Sequence, residues 1–243
     1  MSLYFEELDY RPTPIGALSL RRRREMSLGV DIFEIKLGDE HLMSSLFTAS
    51  EIALARLGLA ELAGSGHDVV VGGLGLGYTA QTVLDHETVG SLLVVEMLDA
   101  VIDWHENGML PLGPVLTSDP RCRFVLGDFF AMAASSQGFD PNSPARRFDA
   151  VLVDIDHSPD FLLNPRNAAF YEPEGLRRLA THLKPGGVFG LWSDELPDEA
   201  FTARLATVFA EACSERVTFH NPLQNRDFTQ TVYLARTAAA PDM

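Results

Sequence analysis

The sequence predicts an α/β fold: a Rossmann-like, mostly parallel sheet of seven strands, its last strand antiparallel, preceded by a small N-terminal β lobe. Three observations predict it. From residue 67 onwards, apolar strand patterns alternate with helical ones. Strands such as Val69-Val70-Val71 and Val151-Leu152-Val153 are apolar on both faces, as parallel strands covered by helices on each side must be. The last two runs, RVTFHN and FTQTVYLAR, are joined by a connection too short for a helical crossover, so they form an antiparallel hairpin at one sheet edge.

Each element follows in order. Residues 1 to about 47 hold short alternating runs, IGALSL and DIFEIKL, broken by Gly38-Asp39, which read as antiparallel strands. Thr48-Ala-Ser-Glu51 has the spacing of a capping box, and an apolar helix runs from it to about Ala63 before Gly64-Ser-Gly66 ends it. The lobe and first helix thus occupy residues 1–63 and the Rossmann-like domain 64–243. In that domain HDVVVGG, SLLVVEM, CRFVLGD, FDAVLVD and VFGLW read as strands. YTAQTVLDH, DAVIDWHEN and the stretches from about Glu174 to Leu183 and Asp198 to Ala212 read as helices. Ala133 to Arg147, rich in Ser, Gly, Pro and Asn, is a surface connection.

Composition narrows the function. Of 243 residues 46% are hydrophobic and 22% charged, with no apolar run near the roughly 18 residues that a bilayer span needs, so no membrane role is expected. The start, MSLYFEELDY, carries no basic or apolar export pattern, so a cytoplasmic chain is expected. Cys122 and Cys213 form no CxxC, and the histidines show no HxH, HxxxH or HExxH spacing, so no metal is expected. A net charge of -15 argues against a nucleic-acid partner and would draw in cations such as polyamines, although it also serves solubility. The one basic cluster, Arg21 to Arg24, lies in a strand that splits it between two faces, and reads as a solvated hairpin.

The chemistry is carried by three turns. Gly72-Gly73-Leu-Gly75-Leu-Gly77 joins a strand to a helix, where glycine permits positive φ and close approach of a ligand to helix amides. Such a loop suits NAD, a sulfonium nucleotide, or packing alone. Glu96, about 19 residues beyond Gly77 and followed by Met97, ends the next strand where a carboxylate accepts ribose hydroxyls. Asp128 in VLGDFF, the Lys184-Pro-Gly-Gly187 turn and the reversed last strand favour S-adenosylmethionine, or its decarboxylated relative, over NAD. Phe129 beside Asp128, and Trp104, read as core or adenine-packing residues; Trp192 is ambiguous. Gly72, Gly73, Gly75, Gly77, Glu96, Met97, Asp128 and Phe129 are thus the nucleotide-site candidates. The third turn, Asp154-Ile-Asp156-His157, ends the fourth strand at the carboxyl edge where open α/β sheets build their sites. Asp154, which also serves the nucleotide site, Asp156 and His157 are the catalytic candidates. An alkyl ammonium with a pKa of about 10.4 costs roughly 4–5 kcal/mol to deprotonate at pH 7, so a nearby base helps, and His157 has the best-matched ordinary pKa.

With the β lobe (TPIGALSL, FEIKLGDEHLMSS), the acid-entered helix (SEIALARL), GGLGLGYTA, VVEMLDAVIDWH, GDFF and FDAVLVDID, the chain resembles the spermidine synthase family of aminopropyltransferases, especially its divergent spermidine-synthase-like members. The resemblance implies a class I S-adenosylmethionine-dependent methyltransferase fold, donor and acceptor meeting between lobe and sheet, a small amine as acceptor, and a homodimer. Two departures stand out. The family loop GGGDGG holds the donor's aminopropyl amine with an aspartate, whereas residues 72–77 here contain no acid; and the family's DSxD run matches Asp154 but has His157 at its fourth position. The family tyrosine before the first helix has no clear counterpart near Phe47 to Ser50. Intact S-adenosylmethionine brings a carboxylate suited to bare amides at a helix N-terminus. The expected reaction is therefore methylation of a small amine, with aminopropyl transfer and non-catalytic nucleotide binding as the alternatives.

Overall fold

The structure is a computed structural model and describes residues 4–13 and 15–240; Met1 to Leu3 of the MSLYFEELDY start and Pro14 of the TPIGALSL run lie outside the described residues. The lobe is a four-stranded antiparallel meander, β1 (Phe5–Thr13), β2 (Gly16–Glu25), β3 (Val30–Leu37) and β4 (Glu40–Ser44), with Gly38 at φ 60° in the β3–β4 turn. Its alternation sends Leu18, Leu20, Ile35 and Leu37 into the same apolar cluster as Leu54, Val69 and Val71, so lobe and sheet share one core. The four arginines of β2 each meet a carboxylate: Arg21 with Glu7, Arg22 with Glu6, Arg23 with Glu34 and Glu25, and Arg24 with Asp31.

Helix α1 (Ala49–Ala60) leads to β5 (His67–Gly72), α2 (Tyr78–Leu84), β6 (Val89–Glu96), α3 (Asp99–Glu106), α4 (Gly113–Ser118), β7 (Cys122–Leu126), α5 (Phe129–Ala134) and β8 (Phe148–Val153). A 3₁₀ turn (Pro165–Asn167), α6 (Ala168–Tyr171), α7 (Pro173–Ala180), β9 (Leu183–Ser193), α8 (Glu199–Ala206), β10 (Glu211–Asn221) and β11 (Arg226–Arg236) complete the chain. The large sheet has the order β10-β11-β9-β8-β5-β6-β7; β11 pairs antiparallel with both β9 and β10, and the other pairings are parallel. This is the expected seven-stranded α/β architecture with its reversed last strand. One sheet face packs on α1, α2 and α3, the other on an aromatic-rich layer that includes Phe129, Phe170, Phe189 and Phe201. The chain crosses between β5 and β8, so the loops after β5, β6, β7 and β8 open side by side at the carboxyl edge.

Local readings differ in four places. The capping box does not form: the Thr48 side chain caps nothing, and Glu51 is buried. Helix α1 stops at Ala60, ahead of the expected Ala63. Helix α8 ends at Ala206 because EACSERVTFHN pairs with β11 along its whole length, overriding the helix propensity of Glu211 and Ala212. The Lys184 to Gly187 turn lies inside β9, beside a register break opposite Phe148 and Ala150.

Candidate active site

The glycine loop is pressed against the loop that follows β8. Gly73 sits at φ 91°, and a Cβ there would come within 2.1 Å of the Asp154 carbonyl oxygen, so only glycine fits. Asp154 N–H donates to the Gly72 carbonyl at 2.9 Å. Beneath Gly72 lies Phe129, 2% exposed and stacked on Phe139 at 4.9 Å; it forms the core floor under the loop. Gly75 offers its carbonyl to His105 Nε2 at 2.9 Å, and burial pushes that imidazole below its ordinary pKa. Gly77, left-handed at φ 94°, begins α2.

The loop amides are not bare. Glu96 Oε2 accepts from Leu74 N–H at 3.0 Å, Gly73 and Gly77 donate to the carbonyls of Val95 and Leu74, and Leu76 N–H points at Met43 Sδ of β4, 3.2 Å away. Buried donors find acceptors, and here the lobe supplies one of them. Glu96 also accepts from Leu98 N–H at 2.8 Å, and burial raises its pKa although these amides pull it down. At the ends of β6 and β7, Met97 and Asp128 are exposed; Asp128 also caps α5 through Ala131 N–H at 3.1 Å. Trp104 is fully buried and donates to Asp9 at 2.7 Å, tying α3 to the lobe.

The structure separates the three residues of the β8 loop. Asp154 accepts from Thr79 Oγ1 at 2.8 Å, and burial raises its pKa. Asp156 is buried and taken up by Leu163 N–H (2.8 Å), Asn167 Nδ2 (3.0 Å) and Tyr171 Oη (2.9 Å), which ties down the following loop. His157 is held between Glu40 of β4 and Asp194 just past β9; the Asp194 and Glu40 carboxylates raise its pKa above the ordinary value, which moves it away from a free neutral base.

The partner of Asp154 is Glu51, a residue that sequence reasoning assigned to a cap. It is 6% exposed, and burial together with the Asp154 charge raises its pKa. Ser50 Oγ lies 2.8 Å from Glu51 Oε2 and accepts from Trp192 Nε1 at 2.8 Å, so the ambiguous tryptophan fixes this corner. Burial raises the pKa of the nearby Tyr78 hydroxyl, which pairs with Ser45. The signal was present in the sequence: Glu51 falls in register with Leu54, Ala55 and Gly58, an acid on the buried stripe of an apolar helix. Among the described residues no group of three or more His, Cys, Asp or Glu is placed to hold a metal ion, and no helix is long and apolar enough to cross a membrane.

Comparison with known proteins agrees with this fold. A crystal structure of spermidine synthase in complex with the transition-state analogue AdoDATO superposes with a TM-score of 0.73 at 16% identity, covering 97% of this chain and 75% of that one. The spermidine synthase of Thermotoga maritima gives 0.71 at 16% identity, covering 97% and 74%. Both likenesses show the fold. In sequence, putrescine N-methyltransferase 3 of Nicotiana tabacum is 31% identical over 120 residues, 49% of this chain and 28% of the relative. Putrescine N-methyltransferase 2 of Nicotiana attenuata is 29% identical over 120 residues, 49% and 29%. The matched stretch therefore spans less than a third of the length of these relatives. The Spermine/spermidine synthase domain matches residues 50–204, from the buried end of α1 through the glycine loop and the β8 turn into α8. The chain belongs to the spermine/spermidine synthase domain family.

Proposed function

We propose that the chain is a transferase that binds S-adenosylmethionine at the glycine loop and methylates a small amine held by Glu51 and Asp154. The observation that carries this reading is the carboxylate pair itself. Two acids with raised pKa values, one on α1 and one in the β8 loop, held by Ser50 and Thr79, support a binding site for a cation. A nucleotide there is supported by Glu96, which holds a carboxylate beside the glycine loop, and by Asp128, exposed one strand further on. Bound there, S-adenosylmethionine supplies a methyl group on a positively charged sulfur.

The protein's own part is to orient the amine and take its proton. Two neighbouring carboxyls in a half-dry site do not both ionise cheaply, so the pair shares one proton near neutral pH and keeps one negative charge. That charge attracts an ammonium and then accepts its proton, which frees the nitrogen lone pair. Asp156 and His157 hold the loop around this pair. Methyl rather than aminopropyl transfer is supported by the absence of an acid in residues 72–77 and by relatives named as putrescine N-methyltransferases.

The test supplies S-adenosylmethionine or its decarboxylated form with a panel of small amines and reads the product mass, which separates a methyl from an aminopropyl gain. Efficient aminopropyl transfer would overturn the methyl reading. Glu96→Ala, which removes charge-assisted hydrogen bonds of about 1.5–3 kcal/mol each, is expected to weaken S-adenosylhomocysteine binding at least about tenfold by calorimetry.

A further inference from the structure

One peptide plane of the glycine loop is gripped at both edges. The Gly75 carbonyl accepts from His105 Nε2 of α3 at 2.9 Å, and the N–H of the same peptide, on Leu76, meets Met43 Sδ of β4 at 3.2 Å. Carbonyl and N–H of a trans peptide point in opposite directions, so the two side chains hold the plane from opposite sides. The two grips are unequal. A thioether is a weak acceptor, whereas an imidazole N–H on a carbonyl is a full hydrogen bond. Gly75, at φ 46°, has no side chain of its own to restrict the plane, which leaves its orientation to these contacts.

The surroundings of His105 fix its state. The residue is fully buried, and Phe124 of β7 meets the ring edge-on at 5.9 Å. A Cβ on Gly77 would come within 3.0 Å of His105 Cε1 and 2.7 Å of Leu116 Cδ1, so the ring fills the space under the end of the loop. Because the Gly75 carbonyl only accepts, Nε2 carries the ring proton. Nδ1 is then a lone pair, buried without a hydrogen-bond partner among the described residues. A second proton there would set an unpaired N–H and a charge in apolar surroundings, and burial accordingly holds this imidazole below its ordinary pKa. An apolar side chain would fill the same space with no unmatched nitrogen. What it would not supply is the hydrogen bond to Gly75.

The held peptide adjoins the nucleotide candidates. Leu74, the residue before Gly75, donates to Glu96 Oε2 at 3.0 Å, so a rotation of the next peptide would disturb the anchored carboxylate as well. Resting on the reading that the glycine loop binds an adenosyl nucleotide, we propose that His105 is a positioning residue for the donor: its neutral Nε2–H turns the Gly75 carbonyl inward and so fixes the loop face that receives the nucleotide beside Glu96. Buried as it is, the ring acts through the loop.

The experiment measures S-adenosylhomocysteine binding by calorimetry in the wild type, His105→Leu and His105→Gln, and reads the wild-type ring tautomer from its nitrogen NMR shifts. Leu removes the donor, whereas the amide of Gln reaches about as far as Nε2. His105→Leu is expected to bind at least about tenfold more weakly, since a carbonyl loses its donor, and His105→Gln to recover most of that loss. Packing alone would not favour Gln over Leu in apolar surroundings, so this rescue separates positioning from a structural role; melting curves confirm that each variant is folded. The wild-type ring is expected to be the neutral Nε2–H tautomer, a measurement that needs no variant. A ring protonated at Nδ1, a folded His105→Leu that binds as the wild type does, or a folded His105→Gln no better than His105→Leu overturns this inference alone. A folded wild type that binds no S-adenosylhomocysteine overturns the nucleotide reading and this inference with it.

Discussion

Glu51 is an acid whose burial costs stability, a cost that the proposed chemistry would put to use. Burial and the Asp154 charge raise its pKa, so the folded chain binds a proton there more tightly than the unfolded chain does. The contribution of this one group to stability is therefore fully present at or below the ordinary carboxyl range and is lost as pH rises through the raised value. Glu51→Gln keeps the shape and removes the cost. It is expected to raise the thermal midpoint at pH 8.5 by about 4–8 °C, on the order of 2 kcal/mol, with a smaller rise at pH 5. Methyl transfer is expected to fall at least about 100-fold, as for loss of a general base. Paired melting curves and turnover assays check both signs. Burial raises the pKa of Asp156 as well, but its hydrogen bonds reverse the expected effect of an amide. Its oxygens meet three donors, so Asp156→Asn sets an amide against a donor and should cost about 1–3 kcal/mol while turnover per folded molecule persists. The different surroundings of these two acids were not legible in the sequence: DxD spacing names two carboxylates, and only the folded chain packs Asn167 and Tyr171 against Asp156 and leaves Glu51 buried with Ser50.

The elements were more legible than the side chains. Strand and helix periods along β5 to β9 are strong because both sheet faces are covered, and the glycine loop announces itself through residues that no other side chain replaces. The weaker readings lie where local propensity and tertiary pairing disagree, as in the β10 sequence EACSERVTFHN, whose strand state comes from its pairing with β11. The short α4 and α6 carry too few turns for a periodic signal. Glycines separate the two kinds of constraint. Gly64 has φ 93° with nothing within 4 Å of a Cβ, so Gly64→Ala carries backbone strain alone, about 1 kcal/mol. Gly73 has nearly the same φ, but its Cβ would strike the Asp154 carbonyl, so Gly73→Ala must also move the β8 loop. Denaturant unfolding is expected to show the second variant clearly less stable, with nucleotide binding lost at ligand concentrations that saturate Gly64→Ala. Equal effects in the two variants would remove the loop contact from the account.

At the scale of the whole molecule, the lobe and the sheet share one apolar cluster, and the site lies where the lobe strand β4 meets the carboxyl edge. Nothing in IGALSL or DIFEIKL tells which face they cover, because alternation sets which side chains point inward and not what they meet. Charge was legible from the outset: 34 acids against 19 basic residues give a molecule whose field draws cations. This field and the inner carboxyl pair respond differently to salt. Raising ionic strength from about 0.01 M to about 0.1 M shortens the Debye length from about 30 Å to about 10 Å, which removes most long-range attraction but screens half-buried charges much less. A cationic acceptor should therefore show a KM that rises severalfold over that range while kcat stays flat, because encounter weakens and the Glu51–Asp154 site does not. Steady-state kinetics at fixed, saturating S-adenosylmethionine gives both quantities. A kcat that falls in step with salt would place the ions at the inner pair, and would mean that Glu51 and Asp154 are more open to solvent than their raised pKa values require.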